Sequence, residues 1–145
     1  MIYTTHSEEE TIALGRRLAA TVLPAAGLVL LAGNLGAGKT TLAKGIVAGR
    51  GVARQDEVSS PTFTLIHEYG DPPRVYHIDL YRLDHARQAA NLGIDDLLLD
   101  GGALVLIEWG ERFPELWPAD RIEIRIERSP GGDQRTFDIR AANES

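Results

Sequence analysis

Apolar residues recur along this chain in three rhythms, and each predicts a different kind of element. In "SEEETIALGRRLAATVLP" Leu14, Leu18 and Val22 stand four apart, the spacing that lines one face of a helix. Ser7 and Glu10 precede them in capping-box spacing and Pro24 closes the segment, so a helix of roughly four turns is predicted. "TTLAKGIVAGRGV" has the same rhythm, with Leu42, Ile46 and Val47 on one face and the glycines at 49 and 51 as its end. The second rhythm is an unbroken apolar run. "GLVLLAG" and "ALVLIEW" are too short for helices and suit strands buried on both faces of a parallel sheet.

The third rhythm is alternation. "TFTLIHEY" and "VYHIDLY" alternate on either side of "GDPPR", whose prolines cannot continue a ladder, so a β-hairpin is predicted. "RIEIRIE" and "TFDIR" alternate around "RSPGGDQ", a terminal antiparallel hairpin with one wet face. "RLDHARQAANLGIDDLLLDGG" reads as one or two short helices. The fold class that follows is α/β: a three-layer arrangement like that of phosphate-loop NTPases, with a mostly parallel central sheet and added antiparallel hairpins.

Composition narrows the class. A chain of 145 residues with 43% apolar content is read as one domain over residues 1–145, without repeat or linker, large enough to bury a core without staples. It contains no cysteine, which excludes disulfides and thiolate metal sites. The opening "MIYTTHSEEET" lacks the basic and apolar regions of a signal peptide, and no apolar stretch reaches the ~20 residues of a membrane span. A cytoplasmic protein with no membrane contact is expected. The formal net charge of -6 disfavours unaided binding to a nucleic acid backbone.

Between the first apolar run and the second helix lies "GNLGAGKT", residues Gly33 to Thr40, which matches G-x-x-x-x-G-K-[ST] in the strand-to-helix setting its mechanism needs. Glycines at 33, 36 and 38 let backbone N–H groups wrap a phosphate chain. Gly33, Asn34, Leu35, Gly36, Ala37, Gly38, Lys39, Thr40 and Thr41 are therefore the expected nucleotide-binding residues. Lys39 supplies charge between the terminal phosphates, Thr40 a hydroxyl for Mg²⁺, and the following helix its dipole. Such a site also needs a carboxylate at a nearby strand end. Glu108 follows "ALVLI" and emerges at the carboxyl edge of a buried strand, where open α/β sheets hold their ligands. Asp79 reads as interior to an alternating strand, where pairing with Arg82 competes with a part in positioning water or metal. Thr62, in "SSPTF", stands where many phosphate-loop proteins have a switch loop, although a Ser/Pro turn also explains the segment. Trp109 follows Glu108 and would point to the opposite side of the strand, into the core. The histidines at 6, 67, 77 and 85 show no metal-ligand spacing and receive no role.

No Asn/Thr-Lys-x-Asp sequence reads guanine, so ATP is the expected nucleotide. A small-molecule kinase is the rival, but its lid of clustered arginines is not evident; the arginines look scattered. A nucleotide-binding regulatory module with negligible turnover is a third reading, and a motor is excluded by length.

"GNLGAGKTTLAKGI", "SSPTFTLIHEY", "YHIDLYRL" and "LIEWGER", in this order and spacing, resemble the bacterial ATPase family of tRNA threonylcarbamoyladenosine biosynthesis, over roughly residues 5 to 140. The resemblance implies a small Mg²⁺-dependent ATPase with two partners, a carbamoyltransferase-like subunit and its inactive paralogue. Those partners would carry most of the tRNA contact, and ATP turnover would reset the assembly between cycles. By position it implies that Gly38 and Lys39 grip the phosphates, that Thr40 and Glu108 hold Mg²⁺, and that Asp79 serves hydrolysis. It also places Thr62 in the switch loop and Trp109 as a functional aromatic near the site. The start of the first helix, near Ser7, would approach the base, and helix capping explains Ser7 equally well.

Overall fold

The computed structural model describes residues 1–34, 36–61 and 64–141. Among these the chain runs β1 (Ile2–Thr5), α1 (Glu8–Thr21), β2 (Gly27–Ala32), α2 (Lys39–Gly49), β3 (Ile66–Tyr69), β4 (Val75–Asp79), α3 (Ala86–Ala90), α4 (Ile94–Asp100), β5 (Leu104–Glu108), β6 (Ile122–Arg128) and β7 (Arg135–Ala141). The strands form one sheet in the order β1-β7-β6-β2-β5-β4-β3. β6, β2, β5 and β4 run parallel; β3 closes one side antiparallel, and β7 and β1 close the other. The α/β class with a parallel centre and antiparallel additions is thus the observed one.

Strand periodicity explains the layers. Val29, Leu31, Leu104 and Leu106 face a cluster with Leu14, Leu18, Leu42 and Ile46 of α1 and α2. Their neighbours Leu28, Leu30, Val105 and Ile107 face a second cluster with Ala89 and Ile94 of α3 and α4. Each large side chain so buried contributes about 1.5–3 kcal/mol, and both faces of β2 and β5 draw on it.

α1 begins as its sequence suggests. Ser7 Oγ accepts the Glu10 N–H at 3.0 Å, and Glu10 Oε1 accepts the His6 N–H at 2.9 Å, so two exposed donors are satisfied at the helix entry. α1 then crosses α2 at very short range. A Cβ on Gly15 would stand 2.5 Å from the Leu42 carbonyl oxygen, and one on Gly45 would collide with the Ile12 carbonyl. Gly49 belongs to this crossing as well, its α-carbon facing Arg16. α2 ends there as expected, with Arg50 as its C-cap and Gly51, at φ 71°, directly after. Arg50 Nη2 donates to the Leu23 and Pro24 carbonyls at 2.9 and 2.7 Å, and burial holds its guanidinium below its ordinary range.

Other differences concern strand ends. β1 was not foreseen; it is held through a pairing with β7 more than a hundred residues away. The "VYHIDLY" strand stops at Asp79, whose Oδ1 accepts the Tyr81 N–H at 2.9 Å and turns the chain. β5 stops at Glu108, because Trp109 adopts a left-handed conformation with φ 67°.

Candidate functional site

The glycine-rich loop leaves β2 at the centre of the sheet and enters α2. Gly33, at φ 156°, passes so close to β6 that a Cβ would lie 2.6 Å from the Ile126 carbonyl oxygen. Gly38, at φ 115°, is the N-cap of α2 and makes no side-chain cap bond, so the first-turn N–H groups keep their capacity for an anion. Gly36, Gly38, Lys39, Thr40 and Thr41 line a cleft of about 470 Å³ together with Glu8, Ser60, Asp79, Tyr81, Glu108, Trp109, Arg128 and Arg135. Asn34 and Ala37 line a neighbouring hollow beside Gly36 and Arg128. Leu35 and Thr62 lie outside the described residues. Ser7 caps α1, and it is the adjacent Glu8 that reaches the cleft.

The two carboxylates end neighbouring parallel strands and are register partners. Glu108, almost wholly buried, accepts the Thr40 hydroxyl at 3.1 Å. Its same oxygen, Oε2, lies 2.5 Å from Nε2 of His77, which is fully buried. His77 Nδ1 is buried with no partner among the described residues, which assigns the ring proton to Nε2 as the donor to Glu108. Asp79 Oδ2 accepts the Ser60 hydroxyl at 2.8 Å. With the Tyr81 N–H on the other oxygen, the carboxylate is held in one orientation at the strand end.

Lys39 Nζ donates to the Gly33 carbonyl at 2.7 Å and stands 3.3 Å from the centre of the Trp109 ring. Burial holds its ammonium below the ordinary lysine range, against the pull of the Glu111, Glu108 and Asp79 carboxylates. Glu111 Oε2 in turn accepts the Gly33 N–H at 3.2 Å. Trp109 faces the cleft, not the core side that strand alternation assigns to it, because its positive φ breaks the alternation one residue after Glu108. Its ring lies 5.1 Å from that of Tyr81.

A hydroxyl and a carboxylate are hard oxygen donors of the kind Mg²⁺ takes, and a second hydrogen bond from His77 fixes the carboxylate. Among the described residues no group of three or more His, Cys, Asp or Glu is placed to hold a metal.

Sequence reasoning missed His77, Ser60, Tyr81, Glu111, Arg128 and Arg135. His77 was legible in principle, since residues i and i+2 of a strand share a face and His77 precedes Asp79 by two. The arginines are scattered along the sequence, but the β6–β7 register sets Arg128 opposite Arg135 beside the loop.

The chain matches the family described as "Threonylcarbamoyl adenosine biosynthesis protein TsaE" over residues 5–137. It is 39% identical over 140 residues to the tRNA threonylcarbamoyladenosine biosynthesis protein TsaE of Bacillus subtilis, covering 96% of this chain and 84% of that one. With the protein of the same name from Streptomyces coelicolor it shares 43% over 122 residues, 81% of this chain and 79% of that one. Among solved structures, the crystal structure of Bacillus subtilis YdiB superposes with a TM-score of 0.75 at 33% identity, covering 99% of this chain and 86% of that one.

Proposed function

The chain belongs to the TsaE family of threonylcarbamoyl adenosine biosynthesis, and from that premise we propose that it is the Mg²⁺-dependent ATPase of the assembly that makes threonylcarbamoyladenosine in tRNA. The observation that carries the reading is the contact of Thr40 with Glu108 directly beneath the phosphate loop. A lysine, an uncapped helix N-terminus and a strand-end carboxylate pair then converge on one cleft.

In this reading the backbone of Gly36 to Thr41 cradles the phosphates and Lys39 neutralises charge that moves onto them as the terminal bond breaks. Thr40 and Glu108 hold Mg²⁺, which when bound supplies electrostatic stabilisation of the phosphate oxygens. Asp79, fixed by Ser60 and Tyr81, orients the attacking water. Trp109 forms the wall behind Lys39 and limits solvent access. Thr62 belongs to the switch loop, and the start of α1 at Ser7 and Glu8 approaches the base.

The output is a conformational reset delivered to two protein partners, a carbamoyltransferase-like subunit and its inactive paralogue. The acidic surface, formal net charge -6, suits a chain that meets tRNA mainly through those partners. No helix among the described residues is long and apolar enough to cross a membrane, in keeping with a cytoplasmic setting. The deciding measurement is ATP consumption with and without the partners, followed by threonylcarbamoyladenosine yield over many cycles. Yield that depends on this chain and is lost with Lys39→Ala supports the proposal. Equal multiple-turnover yield without the chain refutes it, and phosphate transfer to a small acceptor would establish a kinase.

A further inference from the structure

The cleft has a second positive pole that the phosphate loop does not supply. Arg128 is the last residue of β6 and Arg135 the first of β7, and the hairpin register sets them opposite each other. In sheet order these strands lie on one side of β2, while β5 and β4, which end in Glu108 and Asp79, lie on the other. The loop that follows β2 is therefore flanked by carboxylates on one side and by guanidinium groups on the other.

Arg135 is only 5% exposed. Its side chain lies against Gly38, where a Cβ would come within 3.2 Å of both Cδ and Nε. Nη1 donates to the Asp133 carbonyl at 3.3 Å, and Nε is buried with no hydrogen-bond partner among the described residues. Among the described residues no carboxylate forms an ion pair with it. Arg128 is more exposed: Nε donates to the Gly132 carbonyl at 3.1 Å, and its longer contacts reach the Gly36 carbonyl and Asp133, both at 3.5 Å. A guanidinium carries five N–H donors and cannot shed its charge. Burying one without an anion is costly unless an anion arrives as part of function.

We propose that Arg135, assisted by Arg128, is a second anion-binding arm that grips the nucleotide's phosphates from the β6–β7 side, opposite Thr40 and Glu108. The inference rests on the nucleotide reading of the site and deepens it. Bond cleavage is assigned to the carboxylate side, so the arm holds the phosphates that remain on the nucleotide after cleavage. ADP and ATP therefore depend on it equally.

The test is calorimetric titration of ADP, ATP and inorganic tripolyphosphate into the wild-type chain, Arg135→Gln, Arg135→Lys and Arg128→Gln, with melting curves of each free protein. Losing a charge-assisted hydrogen bond predicts about tenfold or greater weakening in Arg135→Gln. The loss is shared by all three probes, is smaller in Arg128→Gln and is partly restored in Arg135→Lys. Unchanged ADP affinity in folded Arg135→Gln overturns the arm while leaving the nucleotide reading intact. A wild-type chain that binds neither nucleotide overturns that reading and the arm with it. If the Gln variant does not fold, the Lys variant decides, because its single ammonium cannot reproduce the guanidinium fork; native affinity there overturns the arm. Failure of both to fold makes Arg135 a buttress of Gly38 and also overturns it.

Discussion

Replacing Glu108 by glutamine separates service to a metal from service to the fold. The native carboxylate accepts the Thr40 hydroxyl at 3.1 Å and the His77 Nε2 proton at 2.5 Å. Glutamine keeps the shape and one acceptor oxygen and adds an NH₂ donor, toward which the Thr40 hydroxyl can turn as acceptor. The free protein then loses charge assistance on two hydrogen bonds and gains relief from burying a charge, for a net change of about 1 kcal/mol. In a chain of this length that moves Tm by roughly 3 °C. A divalent cation is affected far more. A unit charge at about 4 Å contributes about 4 kcal/mol per opposing unit charge at an effective dielectric near 20, and even half of that is about 30-fold in affinity. The assay is phosphate release across a Mg²⁺ titration, normalised to folded protein, beside melting curves of the free variant. Turnover should fall at least about 30-fold and its Mg²⁺ dependence should shift upward. A sharply lowered Tm with turnover per folded molecule retained would refute the reasoning and make Glu108 a structural acid.

Lys39→Ala removes the ammonium that lines the cleft and, on the proposed reading, should lower turnover by about 10²-fold or more in the same assay, whereas unchanged phosphate release would take the loop out of the mechanism. Gly45→Ala drives a Cβ into the Ile12 carbonyl and should cost about 1–3 kcal/mol in chemical denaturation. Gly102→Ala, which meets nothing within 4 Å, should leave stability close to native in the same experiment. If the ATPase drives its partners, turnover of the isolated chain should be slow, and nucleotide should change partner affinity in the same sense as partners change nucleotide affinity, measured by paired titrations. Independence of the two binding events would remove the coupling.

The parts of the fold legible in the sequence are those set by local pattern. The apolar runs around Val29 and Leu106 are short and suit strands buried on both faces, and "GNLGAGKT" carries its own strand and helix on either side. What escaped was set by contacts between distant segments. β1 is short and exposed along much of its length, and exists because β7 offers it a ladder. Trp109 obeys strand alternation on paper, but one left-handed residue turns its ring into the cleft. His77 and Arg135 carry no motif; one is drawn in by register beside β5 and the other by a hairpin that returns to the centre of the sheet.

The placement of Trp109 gives the molecule a built-in optical gauge. The sequence has two tryptophans. Trp117 is buried in the α3–α4 cluster with its indole N–H on the Gly110 carbonyl at 2.7 Å and does not line the cleft. Trp109 lies face-on to an ammonium at 3.3 Å, a charge close enough to perturb the energy of its excited state. A ligand that draws Lys39 toward itself alters the emission of one fluorophore and spares the other. Occupancy of the cleft can thus be followed in the unmodified chain, with Trp109→Phe reporting how much of the signal belongs to the site.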